Sequence, residues 1–250
     1  MKLLVDIGNT RVKWALVGEQ PICIGDDADW STVEKHKGDI LAVWVSCVGN
    51  NAALTKVIDQ VEHLCGLEPN VAKVSSKEGP LVNHYKDLNQ LGVDRWVAAI
   101  GARSLYPEGD LIIVDVGTAV TIDCVNAMHH YLGGVILPGF TMMHDSLVGR
   151  TAGIRSQRQN VFDVIGKNTQ ECVNAGAHFG LVGAIERVVS EMQDRLAGDS
   201  IELLITGGDA ELVTDASRLS FRHHANLLFD GLISLSEQSE AAKNGVSSIL

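Results

Sequence analysis

Two aspartates carry the first chemical signal. Asp6 and Asp115 each close an apolar run, and each is followed by one β-branched residue, a glycine and small polar residues. The two stretches read Asp6-Ile7-Gly8-Asn9-Thr10 and Asp115-Val116-Gly117-Thr118. A turn containing glycine sets successive backbone N–H groups on a concave surface that binds anions. Gly8 and Gly117 allow the backbone angles and the close approach that bulkier residues block. Asn9, Thr10 and Thr118 add side-chain hydrogen bonds. A carboxylate beside a bound phosphate is repelled unless a cation lies between them. Aspartate plus anion loop therefore implies a metal ion, most simply Mg²⁺ held through one or two carboxylates and the substrate phosphates. Either D-x-G alone reads as an ordinary strand end. Two copies in the same register, each followed by a second strand, point to loops that grip a polyphosphate from both sides, as an ATP site requires.

Positioning two such loops needs two similar scaffolds, and the chain supplies the pattern for them. Leu3–Ile7 reads as a strand, Gly8-Asn9-Thr10 as a tight turn, and a second strand runs through Val17. Asp39–Val48 is apolar and β-branched and stops at Gly49-Asn50, which suits a buried parallel strand. Asn51–Cys65 has helical spacing. After Leu91, residues Val93, Trp96, Val97 and Ile100 mark one face of a helix, with Asp94 and Arg95 off that face in its first turn. Leu111–Val125 gives the hairpin again, and Leu132–Leu137 adds a strand that ends at Pro138-Gly139. A helix is expected from Asn168 or Thr169 to about Leu196, and Ile201–Thr206 is a buried strand ending in Gly207-Gly208. The tail after Ser236 is expected to be helical or frayed. The repeated order predicts a duplicated α/β unit, with halves 1–108 and 109–250 facing each other across a cleft.

Composition narrows the setting. The chain of 250 residues is 46% hydrophobic and 20% charged, which is enough apolar material for a core. No run approaches the roughly 20 apolar residues of a membrane helix, and Met1-Lys2 leads directly into a strand. Five cysteines without short spacing suggest free thiols in a reducing compartment. A soluble, cytoplasmic protein without membrane contact is expected. The net charge of −11 argues against binding nucleic acid, whose phosphates need Lys and Arg, although it leaves room for an anionic small ligand in a local pocket.

Competing motifs fail on inspection. No G-x-G-x-x-G follows the first strand. Gly166-Lys167-Asn168-Thr169 is similar to the end of a Walker loop. Val161 stands where the first glycine belongs, however, and Asn168 replaces Ser or Thr, so a helix start is the better reading. The pairs His129-His130 and His223-His224 lack partners at zinc-ligand spacing and read as surface residues.

The motifs together resemble a known family. DIGNT with the following Lys13 resembles the first phosphate motif of the superfamily of acetate and sugar kinases, chaperone ATPases and actin. LGVDRW (Leu91–Trp96) and DVGTAVTID (Asp115–Asp123) narrow this to the bacterial type III pantothenate kinases. GGVILPG (Gly133–Gly139), GKNT (Gly166–Thr169) and TGGDA (Thr206–Ala210) follow in that family's order. The resemblance implies a duplicated ribonuclease H-like, actin-like ATPase fold and ATP-dependent phosphorylation of pantothenate, the first step of coenzyme A synthesis. It implies that Asp6, Ile7, Gly8, Asn9, Thr10, Arg11, Val12, Lys13 and Thr118 bind ATP, with Asp6 holding Mg²⁺ through water. It further implies that Asp94 is the general base, that Tyr85, Gly92, Val93, Asp94, Arg95 and Thr169 bind pantothenate, and that Asp115 holds a monovalent cation, K⁺ or NH₄⁺. A homodimer whose pocket takes residues from both subunits is also implied.

The residues themselves agree with part of this. A primary alcohol attacking a γ-phosphate needs a carboxylate to orient it and take its proton, as Asp94 could. Arg95 could pair with the acceptor's carboxylate or with phosphate oxygens. The plainer alternative makes Asp94 a favourable charge at a helix N-terminus and Arg95 a solvated surface charge. Arg11 either helps ATP or faces solvent. Thr151–Ser156 (TAGIRS) departs from the family, which has an apolar, proline-containing segment there. Another small-molecule kinase of the superfamily, or a non-enzymatic transcription accessory factor, remain the alternative functions.

Overall fold

Leu3, Val5 and Ile7 alternate with Lys2, Leu4 and Asp6, and this period-two pattern becomes the first strand of the protein. The computed structural model describes every residue except 9, 19–22, 27, 28, 50, 161, 197, 199 and 248–250, and only the backbone of 23 and 244–247. The first half of the chain runs β1 (Lys2–Ile7), β2 (Val12–Val17), β3 (Cys23–Asp26), α1 (Ser31–Lys35), β4 (Ala42–Cys47), α2 (Asn51–Cys65), β5 (Asn70–Val71), β6 (Lys77–Glu78), β7 (Leu81–Asn83) and α3 (Val93–Leu105). The second runs β8 (Asp110–Val116), β9 (Ala119–Val125), β10 (His130–Pro138), α4 (Phe140–Arg150), α5 (Thr169–Gln193), β11 (Ile201–Thr206), α6 (Ala210–Thr214) and β12 (Arg222–His223), and α7 (Leu227–Ser247) follows.

The two halves share one strand plan. In the first, strands lie in the order β3-β2-β1-β4-β5, with β1–β2 and β2–β3 antiparallel and β1–β4 and β4–β5 parallel. In the second, the order β10-β9-β8-β11-β12 repeats those relations. Each therefore opens with a meander and then crosses to the far side of its first strand. The expected duplication is present. One face of the first sheet, Leu3, Val5, Ile7, Trp14, Leu16, Val43 and Val45, packs with Val57 and Val61 of α2. The equivalent face of the second, Ile112, Val114, Val116, Val120, Ile122, Leu203 and Ile205, packs with Leu181, Ile185 and Val189 of α5.

The division into units differs from the expected one at the C-terminal end. One unit comprises Met1–Pro107 together with Asn226–Leu250, and the other Glu108–Ala225. Residues 226–250, expected in the second half, leave it because α7 packs on α3, β1 and β4. Two glycines set that approach. A Cβ on Gly101 would lie 2.3 Å from the Leu227 carbonyl oxygen, and one on Gly231 would lie 2.0 Å from the Val97 carbonyl oxygen. Such distances are far inside van der Waals contact, so the helices meet backbone to backbone. Gly231→Ala should therefore destabilise the protein by about 1–3 kcal/mol, the usual cost of overpacking. A urea midpoint equal to the parent's would show that the helices do not need this contact.

Other boundaries shift for local reasons. The expected strand from Asp39 starts only at Ala42, because Lys37–Asp39 form a 3₁₀ turn. The long helix ends at Gln193 rather than near Leu196, although Leu196 N–H still donates to the Met192 carbonyl, as fraying ends do. From Ser236 to Ser247 the tail is helical and continues a helix that begins at Leu227. Asn50, expected with Gly49 to end a strand, and Val161 lie outside the described residues.

Candidate active site

Register places the first aspartate in a polar row. Asp6 pairs with Lys13 across the hairpin and with Ser46 on the parallel side, and Lys13 pairs with Asp26. Paired residues point to the same face of a sheet, so Asp26, Lys13, Asp6 and Ser46 form one line opposite the apolar face. The turn closes by a hydrogen bond from Gly8 N–H to the Arg11 carbonyl, 3.0 Å. Asp6 is half-buried, while Thr10, Arg11 and Lys13 are exposed. Ile7 is fully buried and Val12 packs against the same core, so only their main chain is available to a nucleotide. Asn9 lies outside the described residues.

The second aspartate repeats this position. Asp115 pairs with Thr121 across its hairpin and with Thr206 on the parallel side. In both halves the parallel neighbour of the aspartate thus carries a buried hydroxyl, Ser46 or Thr206. Gly117 N–H closes the turn on the Ala119 carbonyl at 3.1 Å. Two further glycines press on it. Gly139, whose N–H donates to the Thr118 carbonyl at 3.0 Å, has no room for a Cβ, which would lie 2.2 Å from the Gly117 carbonyl oxygen and 2.7 Å from that of Thr118. Gly207, at φ +97°, would put one 2.2 Å from the Val116 carbonyl oxygen and 2.5 Å from Asp115 Oδ1. Glycine at both places lets the backbone close on the turn, and at Gly207 the Asp115 carboxylate and the Val116 carbonyl come near each other, oxygen donors of the kind that suit a hard cation. Among the described residues no three His, Cys, Asp or Glu side chains cluster as a metal cage. Oxygen donors this few fit Mg²⁺ bound mainly through nucleotide phosphates.

A third group forms around the start of α3. Gly92 is its N-cap, and Asp94 and Arg95 lie in its first turn. Asp94 Oδ1 accepts the Arg95 N–H at 2.8 Å, and a Cβ on Gly92 would lie 2.4 Å from that oxygen. Glycine therefore lets the carboxylate fold tightly over the helix end. Arg95 is only 6% exposed, with its guanidinium carbon 5.8 Å from the centre of the Tyr85 ring. A solvated surface role for Arg95 is thereby overturned: the helix face that looked polar in sequence is covered by Tyr85. Tyr85 is itself held where its N–H donates to Asn83 Oδ1 at 2.9 Å. Tyr85, Gly92, Val93, Asp94 and Arg95 thus form one group.

Thr169 belongs to a separate segment of its unit. It is the first residue of α5, where Asn168 Oδ1 accepts the Glu171 N–H at 3.0 Å and Glu171 Oε2 accepts the Lys167 N–H at 2.7 Å. This reciprocal cap makes GKNT a helix start, as expected. Sequence reasoning missed the roles of Gly139 and Gly207 around the second turn. A glycine directly after each of two strand ends, in GGVILPG and TGGDA, was the available signal.

Comparison with known proteins follows these features closely. A sequence model described as type III pantothenate kinase matches residues 2–191. The type III pantothenate kinase of Nitrosococcus oceani is 32% identical over 257 residues, covering 97% of this chain and 96% of its own. That of Ectopseudomonas mendocina is 35% identical, covering 86% of this chain and 91% of its own. Among solved structures, a Campylobacter jejuni protein described as a candidate transcriptional activator of the Baf family superposes with a TM-score of 0.62 at 19% identity, over 96% of this chain and 99% of the other. A candidate 2-dehydro-3-deoxygalactonokinase of Sinorhizobium meliloti gives 0.54 at 10% identity, over 97% and 99%. Those two likenesses speak for the fold alone, a duplicated ribonuclease H-like fold. With its family motifs in order and its likeness spread over nearly the whole length, the chain belongs to the type III pantothenate kinase family.

Proposed function

We propose that the protein phosphorylates pantothenate at the expense of ATP, giving 4′-phosphopantothenate for coenzyme A biosynthesis, with Asp94 as the general base. The observation that carries the assignment of residues is the group at the start of α3. There a carboxylate, a buried guanidinium and an aromatic ring are held together by local hydrogen bonds and close packing. In the reaction the Asp94 carboxylate orients the primary hydroxyl of pantothenate and accepts its proton as the oxygen attacks the γ-phosphorus. The bond from that phosphorus to the bridging oxygen breaks, and ADP leaves. Arg95, fixed under Tyr85, pairs with an anionic group of the acceptor or with the transferring phosphoryl oxygens. Gly92 and Val93 line the acceptor pocket with Arg95, and Tyr85 and Thr169 are further contacts of pantothenate.

The segment Asp6–Lys13 and Thr118 hold the ATP phosphates through turn N–H groups, the Lys13 ammonium and hydroxyls. A bound Mg²⁺ offsets the negative charge of the β- and γ-phosphates. Asp6 would hold it through water, and Asp115 would hold K⁺ or NH₄⁺. The enzyme works as a cytoplasmic homodimer without nucleic acid or membrane. The net charge of −11 disfavours nucleic acid, and no helix among the described residues is long and apolar enough to cross a membrane.

The direct test measures ATP consumption with pantothenate, with a panel of sugars and with no acceptor, and identifies the product by mass. Turnover that needs pantothenate and adds one phosphoryl group to it is expected. Turnover on a sugar alone, or none with any acceptor, would replace this reading.

A further inference from the structure

The structure shows how the segment Thr151–Ser156 is held. Asn174, on α5 and 1% exposed, binds it from below. Its Oδ1 accepts the Gln159 N–H at 2.9 Å, and its Nδ2 lies 3.1 Å from Ser156 Oγ, 2.9 Å from the Gln157 carbonyl and 2.8 Å from the Gln170 carbonyl. From the other side comes His144, on α4 and 2% exposed, with Nε2 3.1 Å from Ser156 Oγ and Nδ1 2.8 Å from Asp145 Oδ1. Further along, Phe162 stacks on His178 with ring centres 4.0 Å apart and meets Phe140 edge-on at 5.4 Å. Burial lowers the His178 pKa and so favours the neutral ring in that stack. The connection between α4 and α5 is therefore pinned twice, by hydrogen bonds at 156–159 and by rings at 162.

We infer that His144, Ser156 and Asn174 form a polar latch that fixes this connection and, through it, the place of Thr169, making all three positioning residues for pantothenate. The link to Thr169 is short. Asn174 holds the carbonyl of Gln170, the next residue, and Gln157 N–H approaches Gln170 Oε1 at 3.4 Å. Hydrogen bonds from buried partners tie the segment down, and such bonds are costly to leave half made. The His144–Ser156 pair has the spacing of a general base and a nucleophile. Ser156 Oγ is already engaged by Asn174 and by the Gln157 carbonyl at 3.3 Å, however, and the Asp145 side chain is 58% exposed, so the hydroxyl serves as a tie.

This inference rests on the proposed acceptor role of Thr169, and its test separates the two. Kinetics on the parent come first, and a parent without pantothenate-dependent turnover sinks the function rather than the latch. Asn174→Ala and Ser156→Ala should each raise KM for pantothenate about tenfold, the weight of one broken buried hydrogen bond, with KM for ATP and kcat within about twofold of the parent. Ser156→Thr, which keeps the hydroxyl, should restore the parent value. Independently of activity, trypsin should cut after Arg155 and Arg158 about tenfold faster in both alanine variants. If Asn174→Ala does not fold, Ser156→Ala carries the same comparison alone. An unchanged KM for pantothenate, a parallel rise in both KM values, unchanged trypsin cleavage, or Ser156→Thr behaving like Ser156→Ala would each overturn the latch.

Discussion

Asp94→Asn should bind ATP and pantothenate and yet transfer phosphate about 10²–10⁴-fold more slowly, the usual contribution of a positioned general base. The substitution isolates one property. Asparagine keeps the size of the side chain and an oxygen that can accept the Arg95 N–H, so the close packing on Gly92 survives. It cannot take up a proton. A purely structural Asp94 would behave differently, because a carboxylate in the first turn of a helix stabilises it by only about 0.3–1 kcal/mol. Removing that charge would lower the thermal midpoint slightly and leave the rate nearly alone. Midpoint, pantothenate binding and turnover measured on one preparation therefore decide between the two. A slightly lower midpoint with near-parent turnover would leave Asp94 a helix residue, and the transfer would need another base.

The aspartate hairpins were legible in sequence because their signal is local. An apolar alternation, an aspartate and a glycine within a few residues fix strand, turn and direction together, and doing so twice reveals the duplication. The start of α3 was half legible. The helical period picked out Val93, Trp96, Val97 and Ile100, but it set Arg95 on the polar side. Tyr85 and Arg95 meet only after the chain has turned through the 3₁₀ segment Leu88–Gln90, and no periodicity carries that information. The same limit explains α7. Its buried face, Leu227, Phe229, Leu232 and Leu235, is read from sequence as easily as any other helix face, yet its partner is α3 of the first half. Gly101 and Gly231 make that pairing possible, and a glycine in sequence does not reveal what will press against it.

The polar latch was invisible for a related reason. His144, Ser156 and Asn174 lie on α4, on the connection and on α5, and each residue alone is an ordinary surface type. Only burial turns them into a network, because a buried polar group must be satisfied by specific partners. Ser46 and Thr206 are similar cases. Their shared place beside Asp6 and Asp115 emerges from the parallel register of β4 and β11, which local sequence does not specify.

That shared register also frames the second large effect, because equal positions in the two halves are assigned different cations. Asp6→Asn should raise the Mg²⁺ concentration needed for half-maximal turnover by about 10–100-fold, the range for losing a group that holds a metal through its outer shell. Asp115→Asn should leave the Mg²⁺ requirement near that of the parent and raise the K⁺ or NH₄⁺ requirement by about the same factor or more, because the proposed role of the lost carboxylate is to touch that ion directly. Neither change should unfold the chain. Both aspartates sit at strand ends on the polar row, and the apolar faces behind them, Leu3, Val5 and Ile7 or Ile112, Val114 and Val116, keep their packing. Each cation is titrated against each variant at saturating ATP and pantothenate, with circular dichroism as the control for folding. A crossed pattern, in which Asp6→Asn alters only the monovalent requirement, would exchange the two assignments. Cation dependence equal to the parent's in both variants would mean that neither carboxylate serves a bound ion, and the two turns would then hold phosphate through their N–H groups alone.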